Sequence, residues 1–72
     1  MELTTGEKIK IIVKRKGMKL EELAVKTEQT RQNLSNKLAR DNFTEKEIKK
    51  LAEALDCDYE AHFILRDTGE RL

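Results

Sequence analysis

Apolar residues along this chain recur first at helical spacing and then, near the C-terminus, at strand spacing. Ile9, Ile12 and Val13 stand at i, i+3 and i+4 and form one stripe. Thr4 or Thr5 offers an N-cap, Lys14 to Lys16 lie where the helix dipole favours cations, and Gly17 supplies a left-handed stop. The pattern predicts a first helix over about residues 5–16. Leu20, Leu23 and Ala24 form the next stripe and predict a helix over about 20–27. A polar break, Thr27-Glu28-Gln29, follows, and Thr30 is placed to cap a third helix over about 31–39 with Leu34 and Leu38 facing inward. Asp41-Asn42-Phe43 reads as a turn. Thr44 and Glu47 have the spacing of a capping box, in which each side chain bonds the other residue's amide. The fourth helix carries Ile48, Leu51, Ala52 and Leu55 on one face and ends near Asp56.

After Cys57 the period becomes two: Tyr59, Ala61, Phe63 and Leu65 alternate with Glu60, His62, Ile64 and Arg66. This predicts a strand, with Asp67-Thr68-Gly69 as a turn and Glu70 to Leu72 as a short return. An isolated hairpin is marginal in water, so it is expected to pack on the helices, to pair with another copy, or both. Phe63, Ile64 and Leu65 are consecutive, so both faces of the strand need cover, and a bare apolar edge invites pairing. The expectation is a homodimer through residues 58–66; the alternative is a monomeric hairpin folded over the first helix. The expected fold is mainly α: a four-helix domain over residues 1–57 and a short C-terminal β-strand or hairpin extension over 58–72.

Composition narrows the class. The chain has 72 residues, no proline, three glycines and 40% charged residues, as in a small helix-rich domain. A chain this size holds a binding surface more readily than a deep catalytic pocket. Cys57 stands alone, which excludes an internal disulfide and makes a reducing compartment the default. No apolar run approaches the roughly 18 residues of a membrane span, and the N-terminus lacks a signal peptide's apolar stretch. A soluble cytoplasmic protein that makes no use of membranes is expected. Cys57 and His62 lie on different predicted elements, so neither a nucleophile–base pair nor a metal site is expected; no cofactor and no enzymatic activity are anticipated. Cys57 reads as a small hydrophobe, His62 as solvent-facing, and Phe43 as a plug beneath the third and fourth helices. The net charge of +1 conceals an asymmetry. Residues 1–40 hold ten Lys/Arg against five Glu, a net +5, whereas residues 41–72 hold five against nine acids, a net −4. The N-terminal part is therefore suited to face an anion.

The third helix carries the candidate chemistry. Arg31, Gln32, Asn33 and Asn36 crowd planar hydrogen-bonding groups into about two turns. Lysine and glutamate would keep such a helix equally soluble. Arg, however, bonds guanine O6 and N7 together, and Gln or Asn bonds adenine N6 and N7 together, a two-point geometry that an ammonium lacks. Gln32 and Asn36 at i, i+4 and Asn33 and Asn36 at i, i+3 share the face opposite Leu34 and Leu38.

The stretch GMKLEELAVKTEQTRQNLSNKLARDN resembles the Cro and phage-repressor (XRE) class of helix-turn-helix proteins. The framework matches at Met18, Glu21, Glu22, Leu23, Ala24, Thr30 and Leu34, and Leu51, Ala52, Leu55 and Cys57 resemble the segment after the motif. The resemblance implies a lambda-repressor-like four-helix domain with the third helix in the major groove of double-stranded DNA. It places Arg31, Gln32 and Asn36 at base-reading positions, with Asn33 close by. Lys19, Gln29, Thr30, Lys37, Arg40 and Asn42 are the expected phosphate contacts, which fix register rather than sequence. Two departures stand out. The usual Leu-Gly-apolar turn is Thr27-Glu28-Gln29, so Glu28 adopts a positive φ or the turn differs. The Gln that members often carry at the start of the second helix is Leu20. The implied function is a sequence-specific transcriptional regulator, often a repressor. The alternative is a helix-turn-helix adaptor or antitoxin acting through a protein partner.

Overall fold

The structure, a computed structural model, describes residues 2–72; Met1, at the start of the expected domain, lies outside the described residues. Four helices follow in order: α1 (Thr5–Arg15), α2 (Leu20–Lys26), α3 (Arg31–Arg40) and α4 (Glu45–Ala54). Threonine starts three of them. Thr4, Thr30 and Thr44 are extended N-caps whose hydroxyls accept from the amides of Glu7, Asn33 and Glu47 at 3.0–3.1 Å. At α1 the box is reciprocal, because Glu7 Oε1 also accepts from the Thr4 amide at 2.9 Å. That amide, followed by the Thr4 hydroxyl, holds the Glu7 carboxyl below its usual range. At α4 only half the predicted box forms. The Glu47 amide finds Thr44, but the Glu47 carboxylate turns away to Lys37 on α3.

Every helix is stopped by a left-handed residue: Gly17 (φ 63°), Glu28 (56°), Asp41 (53°) and Asp56 (57°). The amide one residue further on then reaches back over the last turn. Met18 donates to Val13 O, Gln29 to Ala24 O, Asn42 to Lys37 O and Cys57 to Ala52 O, at 2.8–3.3 Å. Three of these stops use a residue with a Cβ. Asp tolerates the left-handed region comparatively well, but Glu28 gains nothing local in return.

The helices enclose one core: Ile9 and Val13 from α1, Leu23 and Ala24 from α2, Leu34 and Leu38 from α3, and Leu51 and Leu55 at α4. Leu23, Leu34 and Leu55 are fully buried. Ile12, Met18, Leu20, Phe43, Ala54 and Cys57 close its margins. Phe43, in the turn between α3 and α4, is half-buried against this core. The approach of α1 to α3 depends on Gly6. Its amide donates to Asp41 Oδ1 at 2.7 Å, and a Cβ there would lie 2.8 Å from the Leu38 carbonyl oxygen. Asp41 therefore both ends α3 and supplies an anion to the N-terminus of α1.

The strand expected over residues 58–66 is not formed. Among the described residues the only β pairing is an isolated antiparallel bridge between Ile64 and Arg71. Phe63 and Leu72 exchange both backbone bonds, at 2.7 and 2.9 Å, and Leu65 N–H donates to Glu70 O at 2.9 Å. The turn closes through Gly69 (φ 76°), whose amide donates to Leu65 O at 2.7 Å. The hairpin's turn is thus present, but residues 58–62 have no ladder partner in a single chain, and a strand without a neighbour has no hydrogen bonds to define it. Nor does the hairpin fold over α1: every residue from 58 to 72 is exposed. At its start Asp58, Tyr59 and Glu60 border a cleft lined by Ile9, Ile12, Ile48 and Leu55. The molecule measures 44 × 23 × 23 Å, a bundle with an arm.

Two exchanges involving glycine should move stability in opposite directions. Gly6→Ala should lower the unfolding free energy by about 1–3 kcal/mol, since the new methyl pushes α1 off the Leu38 carbonyl despite alanine's better helix propensity. Glu28→Gly should raise it by about 1 kcal/mol by removing the left-handed penalty. Urea titration with equal m-values measures both; a Gly6→Ala variant as stable as wild type would refute the close α1–α3 contact.

Candidate nucleic-acid interface

The outward surface of α3 is fixed by what its inward surface buries. With Leu34 at 0% and Leu38 at 5% exposure, the 3.6-residue period turns Arg31, Gln32, Asn33, Ser35, Asn36 and Arg40 to solvent. The four expected base readers are therefore on one accessible helix. They are also partly organised before any ligand arrives. Gln32 Nε2 donates to Asn36 Oδ1 at 3.2 Å across one turn, which holds both amides in a common orientation. Asn33 Nδ2 donates instead to Gln29 Oε1 at 3.1 Å.

That second bond begins a relay into the protein. Gln29 Nε2 donates to Thr27 Oγ1 at 2.8 Å, and Thr27 Oγ1 donates to the Leu23 carbonyl at 2.9 Å. Thr27 is 6% exposed, a buried polar residue with its hydroxyl fully used. The relay ties the exposed face of α3 to the last turn of α2 across the left-handed stop at Glu28. Gln29, expected at a phosphate, is half-buried with both ends of its amide engaged. Asn33 likewise spends one donor on the scaffold.

The other expected phosphate contacts divide similarly. Lys19 is exposed at the N-cap of α2, where its amide donates to Glu22 Oε1 at 3.4 Å. Thr30 spends its hydroxyl capping α3 but is exposed. Arg40 and Asn42 are exposed at the other end of α3. Lys37 differs: its ammonium is bridged to Glu47, and both side chains are about one-third exposed. The Lys37 ammonium holds the Glu47 carboxyl below the ordinary carboxylate range. Because that shift is a depression, the stability it supplies is complete above the ordinary carboxylate pKa and disappears as acid passes through the folded value. Asn33, Asn36, Lys37, Arg40, Asn42 and Glu47 together line a polar hollow beside α3.

Sequence reasoning missed Thr27 and Glu47. Thr27 stood out only as a departure from the usual apolar turn, a signal that a substitute brace could have been sought there. Glu47 was fully accounted for by its capping-box spacing, and ten residues separate it from Lys37, a distance with no periodic signature.

Thr27→Val should break the relay while preserving shape. The expected result is a loss of about 1 kcal/mol in unfolding free energy, with the Gln29 and Asn33 side-chain amide resonances moving toward solvent-exposed values in ¹H–¹⁵N NMR. Unshifted amide resonances would mean the relay is not formed in solution.

The comparisons agree with the geometry. The family model described as a Cro/C1-type HTH DNA-binding domain matches residues 8–60, from within α1 through α4 and just beyond. No curated protein and no solved structure matches the chain significantly. Among the described residues no helix is long and apolar enough to cross a membrane. With the match covering most of the chain, and with α2 and α3 forming the two helices joined by a tight turn that the motif requires, this protein belongs to the Cro/C1-type helix-turn-helix DNA-binding family.

Proposed function

We propose that this DNA-binding domain acts as a sequence-specific transcriptional regulator in the cytoplasm, with α3 in the major groove. One observation carries the reading: a guanidinium and three amides are all exposed on the helix whose opposite face is buried at Leu34 and Leu38. Arg31 is suited to guanine, and Gln32 and Asn36, already paired, to adenine, each good contact discriminating by about 1–3 kcal/mol. Asn33 both braces α3 and adjoins the bases. Lys19, Thr30, Arg40 and Asn42 flank this face and are suited to phosphates; Gln29 acts through its brace. Occupying an operator would block polymerase sterically, and no step of this reading requires catalysis or a cofactor.

The second element of the proposal is a homodimer through residues 58–66. Phe63 is 82% exposed and Ile64 63%, with Leu72 at 69% beside them across the bridge. An arm this apolar in water is a partner-seeking surface. A second copy would complete the ladder that one chain leaves unfinished and give a two-fold axis matching a palindrome with half-sites about 34 Å apart. A helix-turn-helix adaptor or antitoxin would use the same arm on a different protein.

Selection of bound duplexes from a random pool should return a palindromic site. Gln32→Ala should then relax preference at one base pair per half-site, and Lys19→Ala should weaken all duplexes alike with a shallower salt dependence. An unchanged preferred sequence in Gln32→Ala would remove α3 as the reader. In light scattering, wild type should be dimeric at tens of micromolar and Phe63→Glu monomeric with its helical circular dichroism intact. A monomeric wild type would favour the adaptor.

A further inference from the structure

We infer that Glu47 is a brake on sequence-independent DNA affinity: it neutralises Lys37, the cation nearest the middle of α3, and withholds it from the phosphate backbone. The inference rests on α3 being the helix that meets DNA.

Lys19, Arg31, Lys37 and Arg40 are basic groups on α3 and its flank, and of these four only Lys37 takes part in one of the salt bridges found among the described residues. Its side chain is 31% exposed, drawn down between α3 and α4 rather than extended into solvent. It borders two adjoining hollows, one with Asn36, Arg40 and Asn42, the other with Gln29 and Lys50. The Glu47 amide is capped by the Thr44 hydroxyl, while the Glu47 carboxylate pairs with Lys37. The same acid is thus a normal first-turn residue of α4 and a counter-charge for α3. A pair that is two-thirds covered on both sides is held more firmly than a solvated surface pair.

The consequence is electrostatic. Each lysine delivered to a phosphate releases about one condensed counterion and adds about 0.9 to the slope of log K against log salt, whatever the base sequence. Lys37 in its bridge contributes no such release. Freeing it should strengthen binding to every duplex by the same factor and leave base preference alone. Placing the acid on α4 rather than α3 keeps it off the helix that carries Arg31, Gln32 and Asn36.

The test is Glu47→Gln, which keeps shape and removes charge, measured by fluorescence anisotropy against a selected duplex and a random duplex from 50 to 300 mM salt. Both affinities should rise about three- to eightfold at 0.1 M salt, and the salt slope should steepen by about one. In a Lys37→Ala background the same substitution should produce no such gain. An equal gain in that background would mean that Glu47 acts only by general repulsion, which overturns the brake. So would an unchanged slope in Glu47→Gln. Glu47→Ala, which also removes the acceptor, should give the same gain, and no gain from either variant would overturn the brake. Wild type that binds no duplex at 50 mM salt would sink the DNA-reading proposal itself; wild type that binds with a normal salt slope while Glu47→Gln matches it would sink only the brake.

Discussion

The reading surface of this protein depends on how the chain turns between α2 and α3. Over Thr27, Glu28 and Gln29 the backbone must leave one helix, pass through a left-handed residue and enter the next with Leu34 already aimed at Leu23. Two features help secure that turn. One is the pair of backbone bonds from Glu28 and Gln29 to Val25 and Ala24. The other is the side-chain relay from Asn33 through Gln29 to the buried Thr27 hydroxyl. Glycine would make the backbone part easier. Thr27 and Gln29 compensate by replacing apolar plugging with directional bonds, which fix the angle of α3 more narrowly than a greasy contact would. A rotation of α3 by one residue would bury Asn33 or Ser35 and expose Leu34, so the turn and the core specify the same orientation.

The polar face that results is a compromise between order and availability. Gln32 bonded to Asn36 has lost rotamer freedom before any ligand binds, which reduces the entropy lost on association. The same bond must share or yield its groups when a base edge arrives. Asn33 is committed further, because its donor holds the turn. Arg31, at the exposed start of the helix, is the least constrained, and it carries the charge. The electrostatics follow the same division: free cations sit at the two ends of α3, while the one near its middle is neutralised from α4. A net charge of +1 is therefore a poor guide to the field at this face.

Much of this was legible in the sequence. Stripes such as Ile9, Ile12 and Val13, and threonines three residues before a suitable amide, located the four helices to within about two residues. Gly17 marked its own stop, and the absence of a glycine after α2 raised the possibility of a positive φ at Glu28, which the structure has. What escaped were contacts between elements. The bond from Gly6 to Asp41 spans 35 residues, and neither residue type signals the other. The Lys37–Glu47 bridge was hidden because a local motif already explained Glu47. The strand is unconfirmed for a different reason. Alternation at Tyr59, Ala61, Phe63 and Leu65 records which side chains want cover, but a ladder needs a second backbone, and a single chain provides only the short return at Arg71 and Leu72.

That unmet requirement bears on stability as well as assembly. A 72-residue chain buries only about 60% of its unfolded surface and is marginal. This one also holds three residues with a Cβ in the left-handed region and leaves Phe63, Ile64 and Leu72 in water. Each of those choices lowers the stability of the isolated chain. In the proposed dimer the arm would bury apolar area at about 25 cal/mol per Å², and the folded bundle would be favoured further because only the folded chain holds two arms in register with two α3 helices. Binding to a palindrome would then draw on the same linkage, since the duplex engages both copies at once. A sequence that spends stability on three strained stops and a bare arm is thus physically consistent with a protein whose folded state is meant to be completed by a partner.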